Sequence, residues 1–545
     1  MPNTRKLLSI TDLKKYLPVA KSSLFQKESL YVRANEEITL DIYEGETVGI
    51  VGESGCGKST LGRVLLQLYE QTAGSAMYYG RTLSEVAPYY IEHTLKNASK
   101  YLTKYKNAQA LADKLTAECD ALGDSATFYK LQEKNLAVAN ARSALMNIVK
   151  IMGGFIVTDE LEQSAKVLLK EHHINVAIAK YNHKIADLAA EIELLHTQKD
   201  DLAEEGKDTA SIEKKITAFQ AKIERIADSI EALEAKKPAI KEELNALKAK
   251  HADNAEFAKY EEMLDDGVDL ARLKYSEMRH LRKDLQIIFQ DPYSSLDPRM
   301  TIGQIIEEGL VTHNFFKHGS SKMQEYILQT MRDCGLQDYM LHRYPHQFSG
   351  GQRQRICIAR ALAVKPKFVV CDECVSALDV SIQSQIINLL QELQQKEKFT
   401  YMFISHDLSV VRYISDRIAV MYLGNIVELA PSEEIFKDPR HPYTVALLSS
   451  IPTTDPDDLN KERIILEGNI PSPIRPPDGC KFHTRCFMAC EKCKCVQPPL
   501  VEVEPGHFVA CHFAEKKLDE KGEYLFELPK MEKKSSRLEQ LEVMK

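Results

Sequence analysis

A glycine-rich segment at residues 52–60 carries the first residues that could hold a phosphate group. It reads GESGCGKST, follows the apolar run ETVGIV and precedes LGRVLLQLY, whose apolar residues have helical spacing. Glycines let backbone N–H groups converge on a phosphate, and the start of the next helix adds the positive end of its dipole. This context predicts a phosphate-binding loop of the form G-x4-G-K-S. Its residues are Gly52, Glu53, Ser54, Gly55, Cys56, Gly57, Lys58, Ser59 and Thr60.

Two side chains of this loop have specific expected roles, and two carboxylates far downstream would complete the same site. Lys58 should reach the β- and γ-phosphates of a nucleotide, and Ser59 should ligate Mg²⁺. The apolar run FVVC at 368–371 is followed by Asp372 and Glu373. Asp372 would hold the magnesium ion through water, and Glu373 would be the general base that polarises an attacking water. Taken alone, an apolar run followed by two carboxylates is equally typical of an ordinary strand end.

Further short motifs flank these carboxylates in a fixed order. They are Ile288-Phe289-Gln290-Asp291-Pro292, Phe348-Ser349-Gly350-Gly351-Gln352, Ser376-Ala377-Leu378-Asp379 and Phe403-Ile404-Ser405-His406-Asp407. Together with the glycine-rich loop and the Asp-Glu pair, the set resembles the ATP-binding cassette (ABC) ATPases. The resemblance implies an α/β fold of the P-loop NTPase class, bound ATP and Mg²⁺, and hydrolysis of ATP to ADP and phosphate.

The resemblance also implies roles for single residues. Gln290 would contact Mg²⁺ and report the nucleotide state to a partner, and His406 would contact the γ-phosphate. Asp379 would lie across a dimer interface. The signature that caps the γ-phosphate of the opposite subunit would consist of Ser349, Gly350, Gly351 and Gln352. Such a site is built in two halves on different chains, so the chain must dimerise to hydrolyse ATP.

The aromatic residue that these ATPases usually stack on adenine is harder to place. Tyr16 and Phe25 are the candidates near the first strand, and Tyr16 is the one that we expect. The position that aligns with the family's aromatic is Leu17, so this sequence departs from the pattern there.

Several stretches resemble a narrower branch, the ATPase subunits of oligopeptide/dipeptide and nickel importers. They include FQDPYSSLDPRMTIGQII at 289–306, HPYTVALLSSIP at 441–452 and EGNIPSPIRPPDGCKFHTRC at 467–486. The resemblance spans 1–83 and about 276–515, and it implies a transport motor at the cytoplasmic face of the cell membrane. Its partners would be a second ABC ATPase subunit, normally a paralogue, two transmembrane permeases and an external peptide-binding protein.

The alternative is a soluble coiled-coil ABC ATPase that acts on DNA. Such proteins also carry a coiled coil between the phosphate loop and the signature. The net charge of −8 argues against a binder of phosphate backbones, which usually has a basic face. A short hairpin and an importer-like C-terminal extension argue against it as well, and we expect no nucleic-acid partner.

Six of the twelve cysteines lie between positions 480 and 511. In a cytosolic chain, such a cluster indicates a metal or redox site before it indicates disulfides. A four-cysteine pattern that holds a [4Fe–4S] cluster in some members of the importer branch is matched by Cys480, Cys486, Cys493 and Cys511. Four thiolates also suit tetrahedral zinc, so an iron–sulfur cluster, which we favour, zinc and free thiols all stay open. Cys490 and Cys495 are additional and blur the ligand assignment.

Residues 84–275 differ in kind from the segments on either side. They are rich in Ala, Lys, Glu and Leu, and apolar residues recur three and four positions apart in two runs, 178–202 and 212–247. Two such runs around a polar turn predict an antiparallel coiled-coil hairpin. Pro238 should kink or bend its second arm, and two further helices joined near Gly123 should precede it.

The 545-residue chain is therefore expected to divide into several parts. They are the first part of an ABC ATPase core (1–83), a helical hairpin insertion (84–275), the second part of the core (276–440), an importer-type C-terminal domain with the four cysteines (441–515) and a charged tail (516–545). No apolar run is long enough to cross a bilayer, and the N-terminus lacks the apolar core of a secretory signal. We therefore expect a cytosolic chain.

Overall fold

The computed structural model describes residues 5–19, 30–123, 128–451 and 464–514. The strands in this part of the chain are β1 (Lys6–Pro18), β2 (Tyr31–Tyr43), β3 (Thr47–Val51), β4 (Ala73–Tyr78), β5 (Val268–Asp269), β6 (Leu285–Ile288), β7 (Phe368–Asp372), β8 (Thr400–Ile404), β9 (Arg417–Tyr422), β10 (Asn425–Pro431), β11 (Val501–Glu504) and β12 (His507–Val509). Its α-helices are α1 (Lys58–Leu65), α2 (Leu83–Val86), α3 (Tyr89–Lys96), α4 (Ala98–Leu122), α5 (Phe128–Met152), α6 (Leu161–Glu204), α7 (Ala210–Glu234), α8 (Lys237–Ala249), α9 (Ala255–Glu261), α10 (Tyr275–Leu281), α11 (Ile302–Thr312), α12 (Ser321–Asp333), α13 (Gly350–Leu362), α14 (Val380–Glu397), α15 (Leu408–Ile414), α16 (Ser432–Lys437), α17 (Pro442–Ser449) and α18 (Glu491–Cys495).

An eight-stranded sheet forms the centre of the molecule, in the order β11-β12-β10-β9-β3-β8-β7-β6. The neighbours from β9 to β6 pair in parallel, and the remaining pairs are antiparallel. Every residue of β3, β7 and β8 is buried, as expected for parallel strands covered on both faces. Because parallel strands end at one edge, the segments that follow β3, β6, β7 and β8 begin side by side.

The two faces of this sheet bury different cores. Val369 and Cys371 of β7 face a cluster built with α11 to α15, whereas Phe368 and Val370 face a second cluster. The second cluster contains α1 and a four-stranded antiparallel sheet of order β2-β1-β4-β5. Helix α1 thus lies between the two sheets, where it carries the residues that follow the glycine-rich loop. The predicted α/β class is confirmed.

Helices α3 to α9 form the inserted segment, and all of them except α7 contribute to a hydrophobic core that includes Tyr90, Met152, Val167 and Phe257. Helix α6 has 44 residues and is therefore about 66 Å long. A short turn joins it to α7, and residues near that turn pack together, namely Ile192, Leu195, Leu202, Ile212, Ile216 and Phe219. The ion pairs Lys199–Glu213 (2.9 Å) and Lys170–Glu243 (2.9 Å) show that the two arms run in opposite directions.

Pro238 lies directly after an interruption of the second arm. Helix α7 ends at Glu234, and α8 begins at Lys237 with the proline in its first turn. Proline is tolerated there because the N–H that it lacks has no partner within the helix. The two helices expected upstream are α4 and α5; α4 ends before Gly123, and residues 124–127 lie outside the described residues.

A short strand just before the expected boundary at 275 pairs with the antiparallel sheet. Strand β5 lies within the range assigned to the insertion, yet it pairs with β4 through Met77–Asp269 and Tyr78–Val268. The chain therefore rejoins the antiparallel sheet at Val268. A two-residue strand has no periodicity that a sequence pattern could reveal.

The C-terminal segment extends the large sheet. Strand β12 pairs with β10, and the cysteine-rich stretch before β11 packs on the same side through Phe482, which is buried against Tyr422 and Tyr443. The charged tail expected at 516–545 lies outside the described residues. Within the described ranges, no helix combines the length and apolarity needed to cross a membrane.

Candidate nucleotide site

The glycine-rich loop connects β3 to α1 in a conformation that only glycine adopts easily. Gly52 and Gly57 have φ angles of 149° and 103°. A Cβ at Gly57 would lie 2.0 Å from the carbonyl oxygen of Ala34, so a side chain there would also clash. Helix α1 begins directly after Gly57, which has no side chain to cap it. The first N–H groups of the helix are therefore available to an anion.

The ammonium group of Lys58 lies inside this loop. Its side chain is buried, and Nζ donates hydrogen bonds to the carbonyl oxygens of Gly52 (2.7 Å) and Glu53 (3.1 Å). The third contact of Nζ is with the thiol sulfur of Cys56, a weak acceptor, at 3.9 Å. A phosphate oxygen can replace that thiol without breaking either carbonyl contact.

The two expected magnesium ligands meet although they are far apart in the sequence. Ser59 Oγ donates to Asp372 Oδ1 at 2.5 Å, and Arg63 Nη2 lies 3.4 Å from Asp372 Oδ2. Ser59 stands in the first turn of α1, and Asp372 is the buried last residue of β7. A hydroxyl and a carboxylate are oxygen ligands of the kind that Mg²⁺ prefers, so this pair fits the ion. Arg63 is a neighbour of the pair that the sequence analysis did not identify.

The carboxylate of Glu373 is the centre of a second group of polar side chains. Gln290 Nε2 donates to Glu373 Oε2 at 2.9 Å, and His406 Nδ1 lies 3.5 Å from the same oxygen. These residues follow β6, β7 and β8, whose ends lie side by side. Glu373 has φ 49°, and its N–H donates to the carbonyl of Ile404, so a turn directly after β7 aims the carboxylate.

Two family models match the chain. The model described as "ABC transporter" matches residues 35–215 and 256–376, and the one described as "Oligopeptide/dipeptide transporter, C-terminal region" matches residues 427–493. The chain belongs to the ABC transporter family. It is an ATPase of the ABC type.

Several named relatives are similar to this ABC ATPase. The putative peptide import ATP-binding protein BOV_A0347 of Brucella ovis is 54% identical over 251 residues, which are 46% of this chain and 78% of the relative. The oligopeptide transport ATP-binding protein AppF of Bacillus subtilis is 51% identical over 255 residues, 46% of this chain and 76% of the relative. Among solved structures, the chain is similar to the dimeric cassette MJ0796 bound to ADP and phosphate, with a TM-score of 0.39, 15% identity, and coverage of 78% of this chain and 99% of that one.

The signature residues of the ABC ATPase lie on its surface. Ser349 caps α13: its Oγ accepts from the N–H of Gln352 (3.3 Å), whose side chain in turn accepts from the N–H of Ser349 (3.1 Å). Asp379 is exposed at the start of α14. Among the residues that the structure describes, no hydrogen bond or ion pair joins the signature or Asp379 to the glycine-rich loop.

Tyr16 is held inside the antiparallel sheet. Its hydroxyl donates to Glu36 Oε1 at 2.6 Å, and the guanidinium of Arg33 lies 5.9 Å from its ring. Burial, followed by the nearby Glu36 carboxylate, raises the pKa of Tyr16. Its contacts therefore give no support to the adenine-stacking role expected of it, and Phe25 lies outside the described residues.

The four expected metal-binding cysteines lie in one region but do not form a metal site. The backbone of Cys480 bonds to that of Cys493 at 2.8 Å. Burial and the neighbouring thiols raise the pKa of Cys486 to about 11 and that of Cys511 to about 12. Thiol sulfur is the right donor for an iron–sulfur cluster or zinc, yet across the described ranges no three His, Cys, Asp or Glu side chains are placed to hold a metal ion. Cys490 is the nearest thiol to Cys493, with sulfur atoms 3.5 Å apart.

Proposed function

We propose that this ABC ATPase energises the import of peptides through a membrane transporter. The observation that carries the proposal is the match of residues 427–493 to the C-terminal region of oligopeptide/dipeptide transporters. The names of the Brucella and Bacillus relatives, which refer to peptide import and oligopeptide transport, support it. None of these similarities supports the DNA-acting alternative, and we do not retain it.

The contacts of the site support a division of labour in hydrolysis. Lys58 would bind the β- and γ-phosphates, while Ser59 and Asp372 would hold Mg²⁺ between them. Mg²⁺ neutralises charge that develops on the phosphates. Glu373 would accept a hydrogen bond from the attacking water. Gln290, at 2.9 Å, and His406, at 3.5 Å, would orient the carboxylate of Glu373, and they would also sense the γ-phosphate.

The second half of the site would come from another cassette. The exposed N-terminus of α13 would cap the γ-phosphate bound by that cassette, and Asp379 would lie at the interface. We infer that the other cassette is a paralogous ABC ATPase, and that both attach to two transmembrane permeases at the cytoplasmic face of the cell membrane. An external peptide-binding protein would deliver the peptide to the permeases, so this chain would bind no peptide and no nucleic acid itself.

The inserted helices and the cysteines carry two smaller proposals. The apolar cluster around Leu195 and Ile212 and the antiparallel ion pairs support an antiparallel coiled coil formed by α6 and α7. The four cysteines would bind a metal group, [4Fe–4S] rather than zinc, once their side chains turn toward one another. Metal analysis of the anaerobically purified chain tests this proposal. One cluster or one zinc ion per chain would support a metal site, and the absence of both iron and zinc would contradict it.

Purification from native membranes tests the transport function. A tagged chain, solubilised in mild detergent, should bring two multi-span permeases with it, and vesicles that contain the assembly should take up peptides only when ATP is supplied. The matched control is Glu373→Gln in the same assembly, which should keep the permeases and lose uptake. A chain that purifies without permeases, or uptake that does not require ATP, would contradict the proposal.

A further inference from the structure

One residue of the glycine-rich loop is paired with the distant C-terminal segment. Arg485 Nη1 and Nη2 lie 2.7 and 3.0 Å from the two carboxylate oxygens of Glu53, so the pair is bidentate. The Arg485 side chain is only 7% exposed, and that of Glu53 is 25% exposed. A planar guanidinium that engages both oxygens fixes orientation as well as charge.

Glu53 also takes part in the backbone contacts of the loop. Its N–H donates to the hydroxyl oxygen of Tyr443 at 2.9 Å, and its carbonyl oxygen accepts from Lys58 Nζ at 3.1 Å. The position of Glu53 therefore determines where one of the two carbonyl partners of Lys58 lies. A shift of this residue would move the ammonium group that binds the phosphates.

The C-terminal segment contacts the loop at more than this point. Lys481 Nζ donates to the carbonyl of Leu423 at 3.0 Å, in the turn whose Gly424 donates its N–H to the carbonyl of Cys56. The ring of Phe482 packs at 5.2 Å from that of Tyr422. Residues 481–485 thus support the loop and the turn beneath it, and the ion pair of Arg485 is the contact that reaches the loop itself.

We propose that Arg485 is a positioning residue for ATP binding, which neutralises Glu53 and holds the phosphate loop in place. The reason is electrostatic. A carboxylate in a loop that must receive a polyanion repels it, and this repulsion is strong where water is partly excluded. The guanidinium cancels the charge, so the loop keeps an acidic residue without losing affinity for phosphate.

The decisive readout is the KM for ATP, measured as phosphate release by the assembly of this chain with its partner ATPase and permeases. Arg485→Ala should raise KM about tenfold or more, because it leaves a charged hydrogen-bonded group without its partner. Adding Glu53→Gln to Arg485→Ala should restore most of the loss, since the repelling charge is gone. High salt should narrow the gap in KM between Arg485→Ala and the unmodified chain, because exposed charge is screened.

Arg440 offers a matched control. It also lies in the C-terminal part, its side chain is 5% exposed, and it pairs with Asp438 (2.8 Å) and Glu504 rather than with the loop. Arg440→Ala should lower thermal stability and leave KM unchanged. If Arg485→Ala does not fold, Arg485→Lys keeps the charge without the fork and should give an intermediate KM. An unchanged KM in the Arg485 variants, or no recovery on adding Glu53→Gln, would overturn the proposal.

Discussion

At the scale of single residues, the site combines short motifs that are far apart in the sequence. Ser59 and Asp372 are 313 positions apart and share a hydrogen bond of 2.5 Å. The parallel strands make this possible because β3 and β7 both flank β8 and end at one edge. The roles proposed above separate binding from chemistry: Lys58 contacts the carbonyl oxygens of the loop, whereas Glu373 contacts Gln290 and His406.

This separation predicts different defects for two substitutions. Glu373→Gln keeps the side-chain shape but cannot accept a proton, so hydrolysis should fall roughly 100-fold or more while ATP still binds. Lys58→Ala removes the ammonium group from the phosphates and should weaken ATP binding itself. Equilibrium binding of a fluorescent ATP analogue, measured beside phosphate release, distinguishes the two defects. The control is Glu433→Gln, at an exposed position of α16; hydrolysis by Glu373→Gln at the unmodified rate would refute the role of Glu373.

How far the sequence predicts the site depends on how local each feature is. Lys58, Ser59, Asp372 and Glu373 stand in short motifs whose chemistry is complete within a few residues, and the hydrogen bond of Ser59 with Asp372 joins the two motifs. Arg63, Arg485 and Glu53 carry no such signal, because their partners are known only once the strands are in register. Tyr16 illustrates the opposite problem: the residue type suits stacking, but its neighbour Glu36 binds its hydroxyl.

At the scale of elements, the insertion is tied to the core on both sides. Its α5 contacts the antiparallel sheet through the ion pair of Arg142 with Asp12. Its α6 reaches the segment around α12, where Asp187 accepts from Asn314 (2.8 Å) and Glu193 pairs with Lys322 (2.8 Å). Exposed pairs of this kind contribute about 0–1 kcal/mol each, so the insertion is attached mainly by its buried face.

A pair of deletions tests where the insertion ends. Removing residues 88–265 and bridging with a short Gly/Ser linker should leave a folded chain that binds ATP, because no contact of Lys58, Asp372 or Glu373 involves that range. Removing 88–272 also takes away Val268 and Leu270, which are 0% and 2% exposed. Each lost side chain should cost about 1.5–3 kcal/mol of unfolding free energy.

Urea unfolding followed by circular dichroism measures the difference between the two deletions. Equal stability of the two would contradict the assignment of β5 to the core.

These elements also show what sequence periodicity can and cannot predict. The long arms α6 and α7 follow from apolar spacing, whereas β5 depends on a partner strand 190 positions earlier (Tyr78–Val268) and leaves no pattern.

At the scale of the whole molecule, the residues proposed as the second half of the active site face outward. The signature at the start of α13 and Asp379 are exposed, and among the described residues they make no polar contact with the glycine-rich loop. A helix N-terminus with free N–H groups at the surface is suited to a phosphate held by another molecule. In the dimer with a paralogue proposed above, and equally in a two-fold dimer of two copies of this chain, each cassette would offer its signature to the nucleotide of the other.

Mixing two inactive variants tests whether the sites are shared. Glu373→Gln lacks the base and Ser349→Arg blocks the signature, so neither should hydrolyse ATP alone. A mixed dimer would combine the intact base of one chain with the intact signature of the other, and random pairing should restore about a quarter of the unmodified activity. Glu373→Gln mixed with Lys58→Ala is the control and should stay inactive, because both defects lie in the nucleotide-binding half. If the first mixture stays inactive while light scattering shows that its chains pair, the two halves of a site must come from one chain.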